Sequence, residues 1–138
     1  MDWVLDSSIA LALALPDETS EQANHFFRQI TSKNILWVPA LWWYEIANAL
    51  IGAQRRKRLT ERDRMRLTEL YRMLPVRTDT VLDSDAMYRF HALAIQHELS
   101  AYDAAYLELA QRRALGLATL DRRLRSAALR AGVKVAFH

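Results

Sequence analysis

The sequence predicts an α/β fold, a central, mainly parallel sheet of about five strands with helices on both faces in three α/β/α layers. Three observations lead there. Short apolar runs alternate with amphipathic stretches along the whole chain. Gly116 and Gly132 each follow a helical stretch and precede an apolar run, as helix C-terminal caps do. Pro39 opens one helix, and Pro75 separates another from the strand beyond it.

The first strand, Trp3 to Asp6, is an apolar run closed by an acid. Ile9 to Leu15 is apolar throughout and reads as a core helix. Only Asp2 and Asp6 precede it as charges, so it lacks the basic leader of a signal peptide, and it is too short to span a bilayer. The second strand is Ile35 to Val38. Two helices follow, over about 40–54 and 60–73, joined by the basic turn Arg55-Arg56-Lys57-Arg58. Val76 to Thr78 forms the third strand. Asp79, Asp83 and Asp85 lie before a helix carrying Met87, Phe90 and Leu93, and read as connection and capping residues. A further helix runs from Ser100 through Ala110, and the last strands are Gly116 to Leu120 and Val133 to Phe137. No repeat, low-complexity tract or linker interrupts the pattern, so residues 1–138 are expected to form a single domain.

A chain of 138 residues that is 51% hydrophobic and 25% charged has the composition of a globular protein with one sizeable core. It has no cysteine, which excludes disulfides, thiolate nucleophiles and cysteine-based zinc sites, and fits a cytoplasmic setting with no membrane partner. The formal charge is +3, with 19 basic residues, of which 16 are arginine. The arginine excess suits a polyanionic partner, or else reflects codon preference in the source genome.

Four acids stand where an acid is awkward for folding. Asp6 and Asp121 close apolar runs, at the carboxyl ends of strands, where ligands gather in open α/β sheets. Asp103 is followed by Tyr106, Leu107 and Ala110 at helical spacing, in line with a buried stripe. Glu45 lies on the shoulder of the helix face made by Trp42, Ile46, Ala49 and Leu50. Taken singly, each has a plain structural explanation as a turn or first-turn helix acid. The joint pattern points instead to one cluster, around which 12 acidic and 19 basic residues remain.

Two carboxylates about 4 Å apart repel by roughly 4 kcal/mol at an effective dielectric near 20, so such a cluster needs protons or a cation. Mg²⁺ or Mn²⁺ suits an all-oxygen donor set. Zinc is disfavoured, because His25, His91, His97 and His138 show no ligand spacing. A hard divalent ion among carboxylates can activate water and stabilise in-line displacement at a phosphodiester, which implies hydrolysis of a nucleic-acid backbone.

Val4-Leu5-Asp6-Ser7-Ser8, Tyr44-Glu45-Ile46-Ala47-Asn48-Ala49-Leu50, Tyr102-Asp103-Ala104-Ala105-Tyr106 and Ala118-Thr119-Leu120-Asp121 resemble, in order, the acidic motifs of PIN-domain nucleases. The likeness spans Asp2 to about Phe137 and is strongest to VapC-type toxins of bacterial toxin–antitoxin systems. The resemblance implies a PIN-like fold and an Mg²⁺- or Mn²⁺-dependent endoribonuclease. It also implies a homodimer inhibited by a VapB-type antitoxin whose C-terminal segment crosses the active-site groove. By position, Asp6, Asp103 and Asp121 would hold metal, directly or through water. Glu45 would complete the catalytic set and orient or deprotonate the attacking water. Ser8 and Thr119 match hydroxyl positions that would bond carboxylate or phosphate, and Arg122 and Arg123 are candidates for RNA or antitoxin contact. The segment after Asp121 departs from the pattern in having no further acid, which leaves one metal or two.

Other readings compete. Asp at strand ends, with Thr119 and Lys134, also suits a phosphoacceptor receiver domain, but the first strand ends in one acid rather than a pair, and two helices intervene where a receiver has one. A catalytically dead PIN-like interaction module would have no reason to retain four like charges, and a metal-dependent phosphatase would use the same chemistry on monoesters. Arg55 to Arg58 read first as a solvated turn and second as an RNA contact. Trp42 and Trp43, with Tyr44, could stack on bases, but Trp42 lies on the apolar helix face and reads as core or dimer contact, while Trp43 faces elsewhere and is assigned to neither role.

Overall fold

The computed structural model describes residues 1–18 and 20–137. His138 lies outside them. Four strands, β1 (Trp3–Leu5), β2 (Leu36–Pro39), β3 (Val76–Asp79) and β4 (Gly116–Ala118), form one sheet in the order β3-β2-β1-β4, all parallel. The connections are α1 (Ser7–Ala14), a 3₁₀ turn (Pro16–Glu18) and α2 (Glu21–Gln29), then α3 (Leu41–Arg55) and α4 (Glu61–Met73), then α5 (Ser84–His97) and α6 (Ala101–Arg112). The last helix, α7 (Arg122–Arg130), follows β4.

The path steps outward from β1 to β3 and then back across to β4. Right-handed crossovers therefore put α1 to α4 on one face and α5 and α6 on the other. Packing agrees, with α1 against α2 and α3, α3 against α4, and α6 against both α5 and α7. The place where the chain turns back, between β1 and β4, is the switch point at which open α/β sheets bind ligands. This strand order also sets aside the receiver alternative, whose order is 2-1-3-4-5.

The sheet has four strands rather than five. Val133 to Phe137 contributes only a bridge, Leu117 to Val135, with the Leu117 N–H donating to Lys134 and the Ala136 N–H donating to Leu117. In a strand of three residues the backbone groups alternate between neighbours. Gly116 donates to Asp2, and Ala118 accepts from Asp6, so Leu117 is left to face outward.

Two punctuation marks act differently from their expected roles. Pro39 closes β2 instead of opening a helix, and α3 begins at Leu41. Gly116 is the first residue of β4, not a cap. A Cβ there would press into ring carbons Cζ3 and Cε3 of Trp3, well inside van der Waals contact. The left-handed turn after α6 falls on Ala114 (φ 55°), while Gly132 (φ 76°) does take the left-handed position after α7.

The core is continuous from Val4, Leu5 and Ile9 through Trp42, Tyr106, Leu107 and Leu109 to Leu117 and Leu124. Trp42 is fully buried. Among the described residues no helix is long and apolar enough to cross a membrane.

Candidate active site

Asp6 is the residue after β1, and its backbone N–H donates to Ala118 at 3.0 Å, which fixes it beside Thr119 at the end of β4. It occupies the N-cap position of α1 but makes no side-chain cap bond. Its carboxylate instead accepts from Ser8 Oγ (2.7 Å) and Thr119 Oγ1 (2.6 Å), both at the single oxygen Oδ2. The hydroxyls are themselves held, since Ser8 Oγ accepts from the Leu120 N–H and Thr119 Oγ1 from the Asp121 N–H, each at 3.0 Å. Asp6 thus sits in a lattice of hydroxyls tied to the β4–α7 loop.

Glu45 reaches the site from α3 and is half-buried. Tyr106 Oη donates to its Oε1 at 2.5 Å, and Ser7 also bonds it. Tyr106 belongs to α6, so this bond spans the two helical layers at the carboxyl end of the sheet. Asp103, half-buried in the first turn of α6, lies one turn before Tyr106, and its N–H donates to Ser100 Oγ. Asp121 is exposed and caps α7, its Oδ1 accepting from the Leu124 N–H at 3.0 Å.

The acids share an electrostatic field. Burial pushes the Asp6 carboxyl up to about 6, the bonds from Thr119 and Ser8 opposing and the charges of Glu45 and Asp103 adding to it. Glu45 is raised by burial and by Asp103, against the bonds from Tyr106 and Ser7. Burial and the charge of Asp121 raise Asp103, against Ser100 and Arg123. Among the described residues, no three carboxylate or imidazole side chains stand close enough together to hold a metal ion as they are.

Ser7 and Tyr106 are the positions that sequence reasoning missed. Tyr106 lies on an apolar stripe and is fully buried, and Ser7 is buried beside the acid it follows. A hydroxyl at a core position one turn after Asp103 was the available signal, since a buried Tyr hydroxyl needs a partner.

Residues outside this group have other employment. Asp79 receives two bonds from Arg112 (3.1 and 2.6 Å) and one from Arg113 (3.0 Å), and these outweigh burial to hold its carboxyl below the usual range. Asp83 caps α5. Arg58 of the basic turn pairs with Asp17 at 3.2 Å. Trp43 Nε1 donates to Thr78 Oγ1 at 2.8 Å, and Tyr44 is exposed.

Comparison with known proteins finds relatives of this chain in sequence and in fold. The PIN domain profile matches residues 3–129. Ribonuclease VapC3 of Pyrobaculum aerophilum is 37% identical over 128 residues, covering 90% of this chain and 92% of its own length. FitAcB from Neisseria gonorrhoeae superposes with a TM-score of 0.70 at 15% identity, over 96% of this chain and 95% of that one. A toxin–antitoxin complex from Klebsiella pneumoniae gives a TM-score of 0.61 at 21% identity, over 98% of each chain.

Proposed function

This chain belongs to the PIN-domain family, among the VapC ribonucleases, and we propose that it is a divalent-metal-dependent endoribonuclease, the toxin of a type II toxin–antitoxin pair. Residues 1–138 would act as one nuclease domain, cutting RNA phosphodiester bonds with Asp6, Glu45, Asp103 and Asp121. What supports the reading is that four acids come from four separate elements and feel one another's charge, Asp6 that of Glu45 and Asp103, Glu45 that of Asp103, and Asp103 that of Asp121. Three of them, Asp6, Glu45 and Asp103, are raised by burial first and by a neighbouring acid second.

The residues fit Mg²⁺ or Mn²⁺. The donors are carboxylates and hydroxyls, which suits a hard cation, and a cation would offset the burial and, second to it, the neighbouring charge that raise three of the acids. Asp6, Asp103 and Asp121 would hold it. When bound, such an ion lowers the pKa of water, orients the phosphate and offsets the charge that develops on it.

The chain's own groups supply the rest. Ser8 and Thr119 fix the Asp6 carboxylate through Oδ2. Glu45, steadied by Tyr106 and Ser7, is the base that takes the proton of water as its oxygen attacks phosphorus and the bond to the leaving oxygen breaks. Its raised pKa brings it nearer to the working pH than a solvated carboxylate.

The partners follow from the same reading. The substrate is RNA, and the inhibitor is a cognate VapB-type antitoxin; the neighbour from Klebsiella pneumoniae is itself described as a toxin–antitoxin complex. The exposed apolar side chains Val81, Leu82, Met87, Tyr88 and Ile95, along α5 and the loop before it, support a homodimer, since a patch of this kind calls for cover. The test is cleavage of total RNA by wild type and by Asp6→Asn, with Mg²⁺ or Mn²⁺ and again with EDTA. Metal-dependent cutting should disappear in the variant. Equal cutting by both proteins would refute the assignment.

A further inference from the structure

We propose that the outer face of α7 and the end of α5 form a phosphate-binding subsite that holds the RNA strand beside the position of cleavage. Arg122, Ser126 and Arg130 recur every four residues on α7 and therefore share one face. With Arg123, His97 and Glu98 they line an open cleft of about 360 Å³. The two outer arginines are eight residues apart, a row of about 12 Å at the helical rise and long enough for more than one phosphate.

Three features mark this cleft as more than a solvated surface. The acids that pair with arginine within 4 Å among the described residues go to Arg58, Arg66, Arg72, Arg89, Arg112 and Arg113, and none goes to Arg122, Arg123 or Arg130. Arg122 and Arg123 stand at the positive end of the helix macrodipole, in a first turn without an acid. That placement works against the helix, whose end the Asp121 carboxylate already caps, so the two guanidinium groups themselves would meet an anion. His97, 6% exposed, stands in the wall of the cleft. Glu98 is the one acid among the lining residues, against three arginines.

The cleft is continuous with the acid site along the chain. Asp121 caps the helix that Arg122 and Arg123 begin, and the charge of Arg123 is felt at Asp103. A strand seated on Arg122 and Arg123 would lie next to Asp121. Positive charge here also draws a polyanion toward a centre that would otherwise repel it.

The inference rests on the ribonuclease reading, and the experiment separates the two. Binding of a short fluorescent oligouridylate would be followed by anisotropy in EDTA across a range of salt, for wild type and for the double variant Arg122→Gln/Arg130→Gln. The control is Arg62→Gln/Arg66→Gln, which removes the same charge from α4, and thermal melts would show that all three proteins fold. Each lost phosphate contact on a single strand lowers the slope of log K against log salt by about 0.7, so the α7 variant should lose about 1.4. The control should keep the wild-type slope. An unchanged slope in the α7 variant, or an equal loss in the control, would overturn the subsite while leaving metal-dependent cleavage by wild type standing. Displacement of the RNA by polyglutamate at equal charge concentration would overturn it in favour of an acidic protein partner.

Discussion

Asparagine in place of Asp6 should make the metal-free protein more stable at neutral pH. Asp6 is 6% exposed. Its carboxyl moves from 3.8 to about 6, by burial first, with Thr119 and Ser8 opposing and Glu45 and Asp103 adding. An acid raised on folding contributes stability that is full below the unfolded value and is lost as pH rises through the folded one. At about 1.4 kcal/mol per unit, the ionised carboxylate costs the fold about 3 kcal/mol above pH ~7. Asparagine has nearly the same shape, keeps an oxygen to accept from Ser8 and Thr119, and carries no charge. For a chain of this size the gain corresponds to roughly 10 °C in Tm. Circular dichroism melts in EDTA would measure it, with a gain of about 10 °C near pH 7.5 shrinking to about 2 °C near pH 4. Excess Mg²⁺ should then raise the Tm of wild type and leave that of the variant unmoved. A variant that melts several degrees below wild type at both pH values would refute the reasoning and make Asp6 a structural acid.

Tyr106→Phe keeps the packing and removes the hydroxyl from Glu45. It should cost about 1 kcal/mol in urea melts. Glu45 should rise further, so the pH of half-maximal RNA cleavage should move upward. Arg112→Ala leaves Asp79 and Glu108 buried without their shared partner, although Arg113 and Arg89 remain beside them. A loss of about 3–5 kcal/mol is expected, and unfolding at high salt should show the same loss because the pairs are sheltered. Gly116→Ala forces a methyl group against the Trp3 ring and should destabilise by about 1–3 kcal/mol in the same assay.

Much of this architecture was legible in the chain because each signal was local. Trp3-Val4-Leu5 followed by an acid gave both a strand and a candidate site residue, and α3 and α4 showed their apolar periodicity. The features that escaped depend on distant neighbours. Gly116 looks like a cap until Trp3 is laid across it. Val133 to Phe137 looks like a strand, yet a three-residue β4 has one residue left to pair with it. Tyr106 looks like core, which it is, while its hydroxyl reaches a glutamate 61 positions away. Asp79 looked like a cap because the two arginines that claim it come from the far end of α6.

The contact between Trp3 and Gly116 also constrains the order in which this protein could change. A side chain at position 116 meets the indole at once, whereas a smaller residue at position 3 loses the edge-on contact with Phe26, 5.8 Å between centroids, and leaves room. The step at position 3 must therefore come first, and the step at 116 becomes accessible only afterwards. Because Trp3 opens the strand that Asp6 directly follows, a lineage attempting the reverse order would disturb the candidate site before it had altered a residue there.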